Sequence, residues 1–435
     1  MDVDNFFCKL RTIYEDLQTN KTGSPATYIP QLGRVEPDLF GVSVYTIDNQ
    51  IFNLGDTDHH FCIQSCSKPG TYALALMEHG LEKVSKHINI EASGKRFNAL
   101  EFDENNLPYN PMVNPGAIMA TSLIKQGHTP DARFAHISNF WKEMLGQTKV
   151  GFDMETYLGE LRTADDNYSA SFKMRANGVF PPNTDIDQTI RLYTQACSLT
   201  VNSRSMALFA AILANGGVSP KTGKVHMSSD IVKHLLCIMS TSGLYDYSGR
   251  WFTRVGLPAK SGVAGCIFVV IPNFGGICVF SPRLDKYGNS VRGVELFNKL
   301  INVYKLHIHD HFTVGNSKCR NIDSNMDRLK QLEIFEACRI NNFVRLKQLL
   351  KDTRDVNFCD YDSRYPLHIA VTNRSLECIW ILMLHGANYQ VNDYSKMRPL
   401  RYAIDYQLRD VLVVLLFGQM VYRKRRDNYP NTFLQ

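Results

Sequence analysis

Residues 64–70 read "QSCSKPG" and run directly into the helical pattern "TYALALMEHG" (71–80). One serine is enough to cap a helix, but here Ser65 also has Lys68 three positions further on. Positions three apart share one helix face, so the two side chains are predicted to touch. A hydroxyl at a helix start also lies near unpaired backbone N–H groups and the positive end of the helix dipole. The pair is therefore a candidate serine nucleophile with a lysine base.

A second lysine motif lies far downstream in "AKSGVAG" (259–265), where Lys260 is followed by Ser261 and Gly262. S-x-x-K followed by K-[ST]-G is typical of serine β-lactamases and penicillin-binding proteins. Each motif alone has an ordinary structural explanation, namely a helix cap with a surface lysine and a glycine-rich hairpin entry. Together they favour an acyl-transferring serine, because burial and a second cation both lower the pKa of a lysine base.

The composition is that of an ordinary globular chain with more than one domain. The chain has 435 residues, 44% of them hydrophobic and 21% charged, and a net charge of +6. The charge is spread out, so no nucleic-acid binding is expected. The 11 cysteines form no C-x-x-C pair, which indicates free thiols rather than disulfides or zinc, and no metal site is predicted. The longest apolar region, 264–280, is broken by Pro272 and by glycines, and so predicts a hairpin rather than a membrane span.

Alanines recur every 33 residues near the end of the chain, at Ala337, Ala370 and Ala403. The segment "PLHIA" (366–370) carries the signature that accompanies this period in ankyrin repeats. A helix pair cannot bury its apolar face alone, and small alanines allow neighbouring pairs to stack closely. An ankyrin-repeat domain is therefore predicted, with a protein partner that the sequence does not identify.

Strands at both ends of the upstream region, with helices between them, indicate an α+β domain. Residues 39–56 alternate as a hairpin, 205–217 form a helix ended by glycine, and 255–273 are a glycine-rich turn that runs into strands. One antiparallel sheet with a helical cluster is the expected layout. The predicted order is a short N-terminal helical segment (1–25), a catalytic domain (26–306), a linker (307–326), ankyrin repeats (327–420) and a basic tail (421–435).

Longer motifs between residues 28 and 304 resemble those of the glutaminase family, in its animal kidney-type and liver-type members and their bacterial relatives. They are "YIPQL" (28–32), "QSCSKP" (64–69), "NPMVNPGAI" (110–118), "TSLIKQG" (121–127), "LANGG" (213–217), "SGLYDYSG" (242–249) and "GLPAKSGVAG" (256–265). The resemblance implies a serine β-lactamase-like catalytic domain followed by ankyrin repeats. It also implies hydrolysis of L-glutamine to L-glutamate and ammonia through a γ-glutamyl ester, without a cofactor, in a homodimer or homotetramer.

By position, the resemblance makes Ser65 the nucleophile and Lys68 the base that activates it. Tyr245 would relay protons beside the serine, and the backbone N–H groups of Ser65 and Val263 would form the oxyanion hole. Lys260 completes the catalytic set. A phenol between two lysines is expected to have a lowered pKa, which would suit proton relay.

The resemblance also implies a set of substrate-binding positions: Tyr28, Gln64, Asn114, Glu160, Asn167, Tyr193, Tyr245 and Val263. A carboxylate at Glu160 suits the α-ammonium of glutamine, while amides and phenols suit its α-carboxylate and its side-chain amide. From the residues alone, Asn114 could equally make a turn, Glu160 could be a solvated helix residue and Tyr193 could belong to the core.

The segment 93–106 matches a loop that responds to inorganic phosphate in animal relatives. The resemblance therefore implies phosphate as an activator, but Ala99, Leu100 and Glu101 stand where relatives have a lysine and a Leu-Phe pair. The N-terminus has neither a signal-peptide nor a transit-peptide pattern, so the expected location is cytoplasmic. The alternative is mitochondrial, as in many animal members of the family.

Two other function classes stay open on the sequence. The first is another amidohydrolase, acting on asparagine or a β-lactam with the same serine–lysine pair, which the distance of Glu160 from Ser65 would distinguish. The second is an ankyrin adaptor attached to an inactive enzyme. The complete set of Ser65, Lys68, Tyr245 and Lys260 argues against an inactive enzyme.

Overall fold

The computed structural model describes residues 3–94, 100–310, 320–321, 324–351, 356–360 and 362–428. The chain divides into two compact units, Met1–Ile322 and Asp323–Gln435. Parts of five predicted features lie outside the described residues: 1–2 in the N-terminal segment; 95–99 in the 93–106 loop, including Ala99; 311–319 and 322–323 in the linker; 352–355 and 361 in the ankyrin repeats; and 429–435 in the basic tail.

In chain order the strands of the first unit are β1 (Gly41–Thr46), β2 (Ile51–Gly55), β3 (Phe61–Cys62), β4 (Gly151–Phe152), β5 (Leu199–Val201), β6 (Ala259–Gly262), β7 (Cys266–Ile271), β8 (Gly275–Phe280), β9 (Tyr304–Lys305) and β10 (Arg320–Asn321). They build one main antiparallel sheet in the order β2-β1-β8-β7-β6 and a small antiparallel sheet in the order β3-β5-β4, and β9 pairs with β10. The predicted hairpin over 39–56 is β1 and β2, and its turn contains Asn49 at φ 67°.

Helices fill the chain between β3 and β6 and flank the main sheet. In chain order they are α1 (Val3–Leu17), α2 (Pro30–Gly33), α3 (Lys68–Val84), α4 (Asn114–Leu123), α5 (Pro130–Met144), α6 (Met154–Arg162), α7 (Asp165–Ala176), α8 (Ile186–Cys197), α9 (Ser203–Ala214), α10 (Ser229–Ser242), α11 (Ser248–Arg254) and α12 (Val291–Leu300). Among the residues that the structure describes, no helix is both long and apolar enough to cross a membrane.

Strands β1, β6, β7 and β8 of the main sheet are buried throughout, while the edge strand β2 is partly exposed. Burial on both faces explains why β7 and β8 are almost continuously apolar. Alternate residues of β7 point to opposite sides of a strand. Phe268 and Val270 belong to the core shared with the helical cluster, while Ile267 and Val269 belong to a second core that includes residues of α1 and α12. A sheet covered on both sides holds the strand before the β6–β7 turn rigidly, and this strand carries Lys260.

Helix α9 packs directly on the main sheet because Gly276 of β8 has no side chain. A Cβ at Gly276 would lie 2.4 Å from the Ala207 carbonyl oxygen and from the Ala210 side chain.

Gly276→Ala is therefore expected to destabilise the first unit by about 1–3 kcal/mol, the usual cost of overpacking a core. Thermal unfolding followed by circular dichroism measures the change. Gly249→Ala is the matched control, since a Cβ at Gly249 of α11 meets nothing within 4 Å; equal melting of both variants would contradict the packing.

The second unit consists of stacked helix pairs, as the 33-residue period predicts. Its helices are α13 (Ser324–Arg339), α14 (Phe343–Leu350), α15 (Pro366–Thr372), α16 (Leu376–Leu384), α17 (Pro399–Asp405) and α18 (Arg409–Asn428). The recurring alanines, Ala337, Ala370 and Ala403, are buried. His368 links two repeats. Its Nδ1 accepts a hydrogen bond from the Tyr365 N–H at 3.1 Å, and its Nε2 lies 3.1 Å from the Met397 carbonyl oxygen. The predicted α+β unit followed by an all-α repeat unit is confirmed.

Candidate active site

Ser65 lies in a single 3₁₀ turn, Gln64–Ser67, that leads into α3. The turn follows β3, and Gln64 takes up the sharp change of direction at φ 49°, a left-handed conformation that is uncommon outside glycine. Lys68 is the first residue of α3, and its Nζ donates to Ser65 Oγ at 3.0 Å. The contact predicted from the three-residue spacing is present.

Lys68 is held in an almost fully buried position between two partners. Besides Ser65, its Nζ donates to Asn114 Oδ1 at 2.7 Å. Burial lowers the pKa of Lys68 from 10.5 to about 8, and neighbouring thiols and Glu160 oppose that shift only in part. An amine with this pKa is partly uncharged at neutral pH, and so it can accept the proton of Ser65.

Tyr245 stands beside the serine in a strained backbone conformation, with φ 52°. Its hydroxyl donates to the Ser261 carbonyl oxygen at 3.1 Å and also shares a hydrogen bond with Ser65. The predicted lowering of its pKa is wrong: the pKa of Tyr245 is raised, because burial of the phenol outweighs the hydrogen bond with Ser65. Tyr245 is therefore a neutral phenol at physiological pH, able to pass a proton on.

Lys260 is fully buried and holds the segment around Tyr245 in place. Its Nζ donates to the carbonyl oxygens of Gly243 at 3.1 Å and Ser261 at 2.7 Å, and lies 4.6 Å from the centroid of the Tyr245 ring. Burial, and then the charge of Lys68, lowers the pKa of Lys260 to about 7. These contacts place Lys260 behind Tyr245, as a residue that positions it.

A cavity of about 470 Å³ opens in front of Ser65. The residues that line it are Tyr28, Gln64, Ser65, Asn114, Glu160, Thr163, Asp166, Asn167, Tyr193, Thr194, Cys197 and Val263. All predicted substrate-binding positions except Tyr245 are in this lining, so residues from six separate sequence segments converge on one cavity. Its volume suits a molecule the size of an amino acid.

Four lining residues were absent from the sequence prediction: Thr163, Asp166, Thr194 and Cys197. Cys197 follows Tyr193 by four residues on α8, so helical spacing places both on one face. Burial raises the pKa of Cys197 to about 11, which keeps it a neutral thiol. Thr163 and Asp166 lie between Glu160 and Asn167, and proximity in the chain was the only available signal for them.

Glu160 forms the acidic end of the cavity. Its Oε1 accepts from the Tyr28 hydroxyl at 2.6 Å and from Gln64 Nε2 at 3.1 Å. Burial raises the pKa of Glu160, although both hydrogen bonds and Lys68 oppose the rise. A buried carboxylate of this kind is stabilised by a cation, and the cavity offers room for one.

Asn114 connects the base to the wall of the cavity. Its Oδ1 accepts from Lys68 Nζ and from the Tyr193 hydroxyl, the latter at 3.2 Å, and its Nδ2 donates to Asn167 Oδ1 at 3.1 Å. Asn114 is the first residue of α4, whose preceding residue, Val113, is extended. The start of α4 thus places the Asn114 amide against Lys68, and a position at a helix start does not exclude a role in the cavity.

The turn between β6 and β7 brings Val263 to the cavity, next to the 3₁₀ turn of Ser65. Gly262 fits closely there, since a Cβ on it would lie 3.1 Å from Cys66 Sγ and 3.2 Å from the Ile63 carbonyl oxygen. Gly265 closes the turn at φ 102°. This close approach sets two backbone segments, those of Ser65 and Val263, against the same cavity.

The main antiparallel sheet lies against a helical cluster, and a serine at a helix start accepts a hydrogen bond from a buried lysine. These features define the serine β-lactamase-like class of folds. Residues 23–309 match the model of the glutaminase family, and residues 334–425 match that of ankyrin repeats in three copies. The chain belongs to the glutaminase family.

Its relatives come from animals and bacteria. The liver isoform of mouse glutaminase, described as mitochondrial, is 35% identical over 95% of this chain and 69% of its own length, and a Nostoc glutaminase is 40% identical over 71% and 92%. Two Caenorhabditis elegans relatives that carry the glutaminase name are 40% and 39% identical, and the chain spans 64% and 61% of their lengths. Crystal structures of Mglu in its native and glutamate forms share 33% and 34% identity with this chain at a TM-score of 0.66, covering 71% of this chain and 74% and 71% of theirs.

Proposed function

We propose that this chain hydrolyses L-glutamine to L-glutamate and ammonia through a γ-glutamyl ester on Ser65. The observation that carries the proposal is the 3.0 Å contact of Lys68 Nζ with Ser65 Oγ at the wall of a cavity whose other residues include Glu160. Membership of the glutaminase family supports it, as do the names of the relatives and a structural neighbour solved in a glutamate form.

Acylation begins when uncharged Lys68 takes the proton of Ser65, whose Oγ attacks the side-chain amide carbon of glutamine. The C–O bond forms as the carbonyl π-bond opens, and negative charge moves to the amide oxygen. The backbone N–H groups of Ser65 and Val263 are the donors assigned to that oxyanion, because fixed backbone dipoles need no reorganisation.

Collapse of the tetrahedral intermediate expels ammonia, and the leaving nitrogen must gain a proton. Neutral Tyr245 gives its proton to the nitrogen, and the proton that Lys68 took from Ser65 then returns to the Tyr245 phenolate, so that Lys68 is uncharged again. Water then attacks the ester, and Lys68 accepts a proton from it. Lys68 returns that proton to Ser65 Oγ as the ester bond breaks and glutamate leaves. Each step uses side chains and backbone groups of this chain, so the proposal requires no cofactor.

Glu160 is proposed to bind the α-ammonium of the substrate, and its loss should weaken binding more than chemistry. Glu160→Gln is expected to lower kcat/KM for glutamine by about 10- to 100-fold, mostly through KM, since a hydrogen bond to a charged group contributes roughly 1.5–3 kcal/mol. Glu155→Gln is the matched control on the same helix, because Glu155 is exposed and pairs with Arg34 at the surface. Equal KM values for both variants would remove Glu160 from the binding site.

Substrate length separates this proposal from another amidohydrolase on the same serine and lysine. The span from Ser65 to Glu160 is fixed by the fold, and asparagine is one methylene shorter than glutamine. Its kcat/KM is expected to be about 10- to 200-fold lower, the usual value of one methylene in a fitted site. Steady-state ammonia release from both amino acids measures the ratio, and equal values would contradict a glutaminase.

The pH dependence should report the buried lysine. The pKa of Lys68 is lowered to about 8, so its basic form increases as pH rises through 8 and is lost below it. We expect kcat/KM to fall about tenfold per pH unit well below 8 and to level off above it. Rates between pH 5.5 and 9.5, with the melting temperature checked at each pH, test this. A flat profile over that range would rule out Lys68 as the base.

Assembly, regulation and location are proposed from the family alone. A homo-oligomer is expected. Light scattering with and without inorganic phosphate would measure its mass and test this. Leu100, within the 93–106 loop that would respond to phosphate, is 51% exposed. The cytoplasmic location stays a prediction, and the mitochondrial descriptions of the mouse and rat liver isoforms favour the alternative.

A further inference from the structure

Cys197 is the last residue of α8, and its side chain reaches the wall of the catalytic cavity. The side chain is only 6% exposed, and none of the proposed proton transfers uses its thiol. Buried polar groups in folded proteins have hydrogen-bond partners, so the contacts of this thiol indicate what it does in the cavity wall.

One contact of the thiol leads to the turn that carries Ser65. Cys197 Sγ lies 3.7 Å from Ser67 Oγ. The single hydroxyl hydrogen of Ser67 is donated to the Gln64 carbonyl oxygen at 2.8 Å, within the same 3₁₀ turn. Ser67 Oγ is therefore the acceptor in its contact with Cys197, and the S–H group is the donor. Because burial raises the pKa of Cys197 to about 11, the thiol keeps this hydrogen at physiological pH.

A second contact of the thiol leads to the base. The Tyr193 hydroxyl shares a hydrogen bond with Cys197, and it also donates to Asn114 Oδ1 at 3.2 Å. The same oxygen of Asn114 accepts from Lys68 Nζ at 2.7 Å. Cys197 thus lies between the turn of the nucleophile and the residues that hold the base. We call Ser67, Cys197 and Tyr193 the thiol bridge.

The thiol bridge joins two segments that are 130 residues apart in the chain. Ser67 and Cys197 are 1% and 6% exposed, so water competes little for their hydrogen bond, which fixes the two segments against each other. A displacement of about 1 Å at reacting groups lowers a rate by up to about 10²-fold, so the bridge is expected to affect the rate of acylation. Substrate binding has separate support, since Glu160 accepts from the Tyr28 hydroxyl and from Gln64 Nε2.

We propose that Cys197 is a positioning residue for the hydrolysis. Through the thiol bridge, its thiol holds the turn of Ser65 in register with the Asn114 amide that contacts Lys68. The inference rests on the proposed function, because it concerns the same serine and the same lysine. It adds to that function a buried thiol whose loss lowers kcat more than it raises KM.

Steady-state ammonia release from L-glutamine by the full chain tests the bridge. Cys197→Ala is expected to lower kcat about tenfold, the effect of losing hydrogen bonds of ordinary strength, and to change KM by less than about threefold. Cys197→Ser should restore kcat to within about threefold of wild type, because a hydroxyl can donate to Ser67 Oγ as the thiol does. Cys62→Ala is the matched control with unchanged kcat, since Cys62 is a buried thiol of β3 that lines a different cavity.

The rates are compared below the melting temperature of every variant, measured by circular dichroism, so that unfolding does not contribute to them. Unchanged kcat in Cys197→Ala would overturn the inference, as would an equal loss in Cys62→Ala or no recovery in Cys197→Ser. These outcomes all require that the wild-type protein releases ammonia. No release by wild type would instead overturn the proposed function, and the inference with it.

The same substitution in a Ser67→Ala background separates positioning from packing. If Cys197 acts through Ser67, Cys197→Ala should lower kcat by less than about threefold once the Ser67 hydroxyl is absent, because residues of one network are not additive. A packing role would give the same loss in both backgrounds, since the same volume is removed. Equal losses of kcat in the wild-type and Ser67→Ala backgrounds would therefore overturn the inference.

Discussion

Replacing Ser65 with alanine is expected to reduce ammonia release from L-glutamine by about 10⁴- to 10⁶-fold, the range found when a serine nucleophile is removed. The reason is that no ester can form without Oγ, while the cavity and the oxyanion donors remain. Binding of glutamine should persist, because Glu160, Tyr28 and Asn114 are untouched. Steady-state kinetics measures the first effect and isothermal titration calorimetry the second.

Ser67→Ala is the matched control, two residues along in the same 3₁₀ turn. Ser67 is buried and donates to the Gln64 carbonyl oxygen at 2.8 Å, so it supports the turn without facing the substrate. Its variant should keep activity within about tenfold of wild type, consistent with the loss of one hydrogen bond worth roughly 1 kcal/mol. Equal ammonia release by wild type and Ser65→Ala would refute Ser65 as the nucleophile, and no release by either protein would favour an ankyrin adaptor attached to an inactive enzyme.

Lys68→Met is expected to lower kcat by about 10²- to 10⁴-fold, the usual contribution of a general base. Methionine has a similar length and suits an almost fully buried position, so the loss reflects the amine rather than a cavity. The inflection in kcat/KM near pH 8 should also disappear. Removal of a buried amine should leave the melting temperature unchanged or raise it, since burying that group opposes its charged form.

Lys83→Met controls for this change on the same helix, because Lys83 is exposed in the last turn of α3. It should retain both the rate and the pH profile of wild type. If Lys68→Met kept its kcat and its inflection, the base would have to be another group, and not Tyr245, whose pKa is raised by burial.

Short-range features of the site were predictable from the sequence, and long-range ones were not. The Ser65–Lys68 contact follows from a three-residue spacing, which local helical geometry decides. The approach of Val263 to the same cavity depends on how β6 and β7, far downstream of Ser65, pair within a sheet that also contains β1 and β2. Only the resemblance to the glutaminase family predicted that Val263 lies at the cavity. Likewise, the bond from Asn114 to Lys68 depends on how α4 packs beside α3, which spacing does not encode.

The error on Tyr245 has a physical origin. Sequence reasoning counted nearby positive charges, which lower the pKa of a phenol, but burial cannot be read from a tyrosine in a turn. The structure shows that burial dominates, so the pKa is raised. For the repeats, the period of 33 residues predicts the helix pairs. The apolar run in α18, however, does not show that the side chains of Phe417 and Met420 are exposed.

The most direct test of the account is to trap the intermediate. Wild-type protein mixed with L-glutamine is quenched in acid within milliseconds, digested and mapped by mass spectrometry. The account predicts a γ-glutamyl adduct on Ser65, absent from Ser65→Ala and from samples without glutamine. An adduct on Cys197 or Cys66 instead, or rapid ammonia release with no adduct on any residue under conditions where deacylation is slowed, would contradict a serine ester as the central intermediate.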